Sequence, residues 1–161
     1  MKPRNDGITI IPLTPSRISE LTLLDSLCFS DPWSAESFAS VLENSLYTYF
    51  IAVDSELGNV CGYGGLYSLL DSADIMNIAV LPDYRKRGIG SALLSELISA
   101  AKEKGVLSLH LEVRQSNDEA KRLYEKFGFV VDGIRKSYYR RPTEDAILMT
   151  KALSSNDRKE F

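Results

Sequence analysis

Residues 80–105 read VLPDYRKRGIGSALLSELISAAKEKG. Ile89, Leu93, Leu94, Leu97, Ile98 and Ala101 recur at helical spacing and share one face. Pro82 ends the apolar run 73–80 that comes before, and Gly105 stands where a helix C-terminal cap belongs. The unit is therefore strand, basic glycine turn and amphipathic helix. Such a helix has to lay its apolar face on a sheet, which points to a layered α/β fold.

The flanking sequence extends this pattern. Residues 8–13, broken by Pro12 and followed by Pro15, read as an edge strand. Ile18, Leu21, Leu24, Leu27 and Cys28 give helical spacing over 16–29, and Ser34 opens a second helix with Phe38, Val41 and Leu42 on one face. Residues 47–53, 60–69 and 73–80 read as three strands, and 107–114 as another. Ser116 and Glu119 predict a capping box for a helix ended by Gly128, and 129–134 and 146–153 close as strands. The predicted fold class is α/β: a central mixed, mostly antiparallel sheet flanked by about four helices. One domain is expected over 1–153, with a frayed polar tail at 154–161.

Composition excludes several roles. Length suits one domain, and 19 basic against 22 acidic residues, net charge -3, do not announce nucleic-acid binding. Two cysteines, Cys28 and Cys61, and one histidine, His110, give no metal-site spacing, so no metal is expected. The opening MKPRNDGITI lacks the apolar core of a signal peptide, and no apolar run is long enough to span a bilayer. The expectation is a soluble cytoplasmic protein with reduced thiols and no membrane partner.

The turn itself carries chemistry. A helix N-terminus exposes unpaired N–H groups and partial positive charge, and glycines let the backbone approach an anion. Arg85, Lys86 and Arg87 add full charges around Gly88 and Gly90. A phosphate cradle follows; the alternative is a solvated basic turn entering a core helix. A dinucleotide fingerprint would need a third glycine where Leu93 stands, and a Walker A loop needs a Gly-Lys-Ser/Thr that is missing.

Period-two alternation in LSLHLEVR puts Leu109, Leu111 and Val113 on one face and His110, Glu112 and Arg114 on the other. A partly buried Glu112 would have its pKa raised toward neutrality, which suits a general base. A solvent-facing carboxylate, or one paired with Arg114, is the structural alternative. Tyr124 shares helical spacing with Ala120, Leu123 and Phe127, so it also reads as a core residue. Cys61 has no histidine in its sequence neighbourhood and reads as a core thiol, and His110 as a packing residue.

NIAVLPDYRKRGIGSALL followed by LHLEVRQSNDEAKRLYEKFGF resembles the GNAT superfamily of acetyl-CoA-dependent N-acetyltransferases. Within it, LEVRQSN, LYEKFGF and the closing RKSYYRRPTEDAILM resemble the RimI type, which acetylates the N-terminal alanine of a small-subunit ribosomal protein. The resemblance implies a cosubstrate, acetyl-CoA, held by the turn Arg85, Lys86, Arg87, Gly88, Ile89, Gly90 and Ser91. It implies that Ile78, Ala79 and Val80 pair with the pantetheine arm through their main chain, and that Asn117 touches the coenzyme. Glu112 becomes the general base, Tyr124 the acid that protonates the leaving thiolate, and the Val80 N–H the oxyanion donor. Phe29, Pro32, Trp33, Tyr138 and Tyr139 would line the groove for an acceptor protein's N-terminus. Asp31-Pro32-Trp33 departs from the His-Pro-Trp expected in that branch, and Arg140 and Arg141 add charge beside the acceptor loop. A small-molecule amine is the alternative acceptor, and a non-enzymatic acyl-CoA-binding domain the reading from another class.

Overall fold

In the computed structural model, which describes residues 7–153, the first apolar run becomes edge strand β1 (Ile8–Pro12). Helix α1 (Ile18–Cys28) follows a short 3-10 turn, and α2 (Ala35–Leu42) starts where Ser34 Oγ accepts from the Ser37 N–H. Strands β2 (Tyr47–Asp54), β3 (Val60–Leu69) and β4 (Ser72–Val80) form an antiparallel meander. Helix α3 (Ile89–Glu103) then returns the chain to β5 (Ser108–Arg114), followed by α4 (Asp118–Lys126), β6 (Val130–Tyr139) and β7 (Glu144–Ala152). The sheet runs β1-β2-β3-β4-β5-β7-β6, and only β4–β5 is parallel. The order of elements and the mixed, mostly antiparallel sheet match the expectation. The tail expected at 154–161 lies outside the described residues.

Two apolar layers sandwich the sheet. On one face Leu94, Leu97 and Ile98 of α3 and Tyr124 of α4 pack on Ile75, Leu109, Leu111 and Val113. On the other, Leu21, Leu24 and Phe38 of α1 and α2 pack on Tyr49, Ile51 and Tyr63. Inside this second layer lies a carboxylate that periodicity does not reveal. Asp25 is 1% exposed, and its Oδ1 accepts from the Tyr63 hydroxyl (2.6 Å) and its Oδ2 from the Trp33 N–H (2.8 Å). A buried charge is tolerable on those terms. Among the described residues no helix is long and apolar enough to cross a membrane.

Local expectations are corrected in three places. Leu27 is 64% exposed rather than inward. At 3.6 residues per turn it sits about 120° from the centre of the stripe formed by Leu21, Leu24 and Asp25. The predicted capping box does not form, because the N-cap of α4 is Asn117, whose Oδ1 accepts from the Ala120 N–H, while the Ser116 N–H is taken by Glu144. Tyr138 and Tyr139 end strand β6 instead of lying in a loop, since β6 runs on past residue 134 to pair Tyr139 with Glu144.

Two irregularities in β4 shape everything that follows. Gly64 pairs with Ile78 and Leu66 with Ile75, so Met76 and Asn77 together oppose Gly65 in a bulge. The bulge reverses the alternation. Ala73 and Ile75 face α3 before it, Ile78 and Val80 after it, and Ala79 turns toward α1 and α2. Secondly, β4 and β5 pair only over Ser72–Asp74 against Ser108–His110. Beyond that point the strands part, and the outer edge of β4 has no strand partner.

Candidate active site

Where β4 and β5 part, a groove of about 760 Å³ opens, lined by Ile78, Ala79 and Val80, by the turn into α3, by Asn117, Ala120 and Leu123 of the α4 region, and by Cys28 and Phe29 from α1. The turn leaves the first amides of α3 without a helical acceptor. Lys86 (φ 63°) and Gly88 (φ 79°) adopt left-handed conformations, a position in which glycine alone avoids a steric cost. Gly88 has no side chain to cap the helix, the first turn of α3 holds no acidic residue, and the first helical bond runs from the Ala92 N–H to the Gly88 carbonyl. The N–H groups of Ile89, Gly90 and Ser91 thus have no acceptor within the helix. An uncompensated positive helix end faces the groove.

The side chains around this turn divide. Arg85 lies along the groove, its Nε donating to the Val80 carbonyl at 2.9 Å. Lys86, Gly88, Gly90 and Ser91 line it, whereas Ile89 is 1% exposed and can offer only its main chain. Arg87 turns away, its guanidinium 5.2 Å from the centre of the Tyr84 ring. Asn117 both caps α4 and lines the groove. The free amides, the flanking Arg85 and Lys86 and the unpaired edge of β4 fit a diphosphate followed by an extended, amide-bearing arm, the make-up of coenzyme A.

Glu112 stands two residues, about 7 Å, beyond the last β4–β5 rung at His110. It points to the face opposite Leu111 and Val113, while Tyr124 is buried in the layer those two residues belong to. The carboxylate and the phenol therefore lie on opposite faces of the sheet, and neither is among the residues that line the groove. Glu112 is more exposed than the burial argument supposed, with its side chain 36% accessible and its Oε1 3.7 Å from Arg135 Nη1 of β6. Its partner is not Arg114, which bonds Glu144 instead. The hydroxyl of Tyr124 has no hydrogen-bond partner among the described residues. Burial, reinforced by nearby Tyr139, holds its pKa above the ordinary phenol range. Burial and the Glu112 carboxylate push Tyr139 up to about 12, and the Arg114 guanidinium covers its ring at 4.5 Å. Tyr139 thus lies close to both Glu112 and Tyr124, a meeting of distant segments that no local signal gives.

Of the residues expected on the acceptor side, Phe29 lines the groove, Trp33 packs on Phe38 and Tyr49 at 5.3 and 6.1 Å, and Pro32 is exposed. Tyr138 is 44% exposed and meets Tyr139 edge-on at 5.0 Å. His110 shares a hydrogen bond with Ser108 Oγ (3.1 Å). Cys61 is a core thiol, its Sγ 3.4 Å from the Ala52 carbonyl and its pKa pushed by burial up to about 11. Sequence reasoning missed Arg135, the β4 bulge, Asp25 and the groove-lining thiol of Cys28, since each acts through contacts remote in the chain.

The chain belongs to the acetyltransferase (GNAT) family, whose model matches residues 18–129. It is an acetyl-CoA-dependent N-acetyltransferase of the RimI type. It is 42% identical over 127 residues to the ribosomal protein bS18-alanine N-acetyltransferase of Escherichia coli (strain K12), covering 76% of this chain and 82% of that one. The Salmonella typhimurium enzyme of the same name is 34% identical over 150 residues, covering 91% and 98%. The crystal structure of the Escherichia coli ribosomal-protein-S18-alanine N-acetyltransferase superposes with a TM-score of 0.83 at 36% identity, covering 91% of this chain and 94% of that one.

Proposed function

We propose that this chain acetylates the N-terminal α-amine of a protein, in the first place a small-subunit ribosomal protein that begins with alanine, and that it does so in the cytoplasm. The observation that carries the reading is the anion cradle at the mouth of α3 beside the free edge of β4, with Glu112 on β5 two residues beyond the last β4–β5 rung. The names of the relatives support the alanine acceptor, and the free thiols of Cys28 and Cys61 fit a reducing compartment.

Acetyl-CoA supplies the activated acyl thioester. The main-chain amides of Ile89, Gly90 and Ser91, with Arg85 and Lys86, hold its diphosphate, Gly88 lets the backbone come close, and the Asn117 side-chain NH2 is free to donate beside it. Main-chain groups of Ile78, Ala79 and Val80 pair with the pantetheine arm. The acceptor enters from the face that carries Glu112, between the 29–33 segment and Tyr138 and Tyr139. Glu112 takes the proton that the amine must lose, directly or through one water. The Val80 N–H donates to the acetyl oxygen as charge develops on it. Tyr124 gives its proton to the departing sulfur. One N–C bond forms, one C–S bond breaks, and no acyl-enzyme on Cys61 is required.

The test presents acetyl-CoA with peptides beginning Ala, Ser, Met and Gly, together with polyamines and aminoglycosides. The expected order puts the alanine peptide first by kcat/KM. Faster turnover of a small-molecule amine overturns the reading.

A further inference from the structure

Asp25 is a buried carboxylate that the reaction above does not use. We propose that it is a positioning residue, which fixes the segment from Phe29 to Trp33 in the shape that serves the acceptor. The inference rests on the reading of that segment as one wall of the acceptor site.

The segment is held at its two ends by different groups. At the near end the Phe29 N–H donates to the main-chain carbonyl of Asp25 (2.9 Å), and Cys28 Sγ lies 3.8 Å from the Val80 carbonyl. Neither contact involves the carboxylate. At the far end the Trp33 N–H donates to Asp25 Oδ2 at 2.8 Å, immediately before Ser34 caps α2. Residues 30–32 between them are exposed and make no hydrogen bond among the described residues. The path of the segment therefore depends on its anchors, and the Asp25 carboxylate is the far one. The carboxylate is itself fixed, because Tyr63 on central strand β3 donates to Oδ1 at 2.6 Å. With Asp25 1% exposed, bulk solvent does not reach either bond.

This arrangement separates the two substrates. Loss of the carboxylate frees the Trp33 end, which packs toward α2 and Tyr49, while the Cys28 and Phe29 end stays pinned beside the coenzyme groove. Acceptor recognition should suffer and coenzyme binding should not. The chemistry of the replacement matters too. An asparagine can accept from the Trp33 N–H and donate to Tyr63, whose hydroxyl can turn to accept. An alanine can do neither.

Trp33 is the sole tryptophan of the chain, so its fluorescence reports the segment directly. In Asp25→Ala, emission should shift to the red and acrylamide quenching should rise. KM for an alanine-first peptide should rise about tenfold or more, the scale of a lost buried hydrogen bond to a charged group, with KM for acetyl-CoA within about twofold. Asp25→Asn should restore both readouts to near wild type. Tyr63→Phe, which keeps the ring and removes the donor to Oδ1, should move emission and peptide KM in the same direction by less, and it serves if the alanine variant does not fold. Unchanged Trp33 emission and peptide KM in the alanine variant, or in Tyr63→Phe where that variant has to stand in, overturn the assignment. So does a fall in acetyl-CoA affinity that keeps pace with the peptide, since general loosening would then explain both. A wild-type enzyme that ignores the peptide sinks the acceptor reading instead, and the ligand-free fluorescence comparison still decides whether Asp25 holds the segment.

Discussion

Glu112 and Tyr124 receive opposite treatment from the fold. Glu112 stays in contact with solvent and with Arg135, and what recommends it is its position two residues beyond the last β4–β5 rung. Replacing it by glutamine removes the proposed proton acceptor and leaves the shape. kcat/KM at neutral pH should fall about a hundredfold, the lower range for general base catalysis, and recover partly at higher pH as the acceptor amine loses its proton to water. Activity close to wild type at every pH would remove Glu112 from the mechanism. Tyr124 on α4 is 7% exposed, and burial disfavours its phenolate. A raised phenol pKa means that the proton is still present as pH climbs through the range where an ordinary tyrosine, near about 10, gives it up. The rate should therefore show no decline below that range. Tyr124→Phe should lower kcat about tenfold or more while calorimetric affinity for acetyl-CoA stays within about twofold. A mutant at full rate, or an alkaline decline in the wild type well below pH 10, would exclude the phenol as the acid.

At the scale of elements, the junction between β5 and α4 sets where Asn117 meets the groove. Glu144 of β7 holds that junction by accepting from the Ser116 N–H and from Arg114, which also binds the carbonyls of Arg140 and Pro142. These bonds, those of Ser116 first and then Arg114, keep the Glu144 carboxyl below its ordinary pKa. A folded-state value below the unfolded one means that the stabilisation is fully present above the ordinary carboxylate pKa. It is lost as pH falls through the lowered value. Unfolding midpoints taken stepwise from pH 6 to pH 3 should thus fall more steeply in wild type than in Glu144→Gln. Parallel curves would show that the ionised carboxylate does not brace this turn. The sequence pattern around Ser116 pointed to a capping box because it carries the right residues at the right spacing. The pairing of β5 with β7 supplies a stronger partner for the Ser116 N–H from 28 residues away, and the cap moves to Asn117.

Across the whole molecule, what local pattern could carry was legible: the periodicity of α3, the alternation around Glu112, and the glycine turn with its basic flank. Properties that arise where remote segments meet were not, among them the exposure of Glu112 beside Arg135, the parity change at Met76 and Asn77, and the anchoring of Trp33 by Asp25. The largest of these is the division of the sheet. β1 to β4 form one half and β5 to β7 the other, and they share three parallel rungs, Ser72–Asp74 on Ser108–His110. The apolar layer that contains α3 and α4 also joins residues of both halves. A coenzyme lying along the free edge of β4, with its diphosphate on α3 and its flank on Asn117, would span both. Saturating coenzyme A at about a hundred times its dissociation constant should stabilise the fold by about 2.7 kcal/mol, and amide exchange should show where. Protection should rise along 78–80 and 88–91 and at 115–117, while β1 and β6, the strands farthest from the gap, change little beyond the global gain. Equal slowing across all seven strands would mean that the ligand does not bridge the gap, and the placement of the coenzyme argued from the free edge of β4 would fall with it.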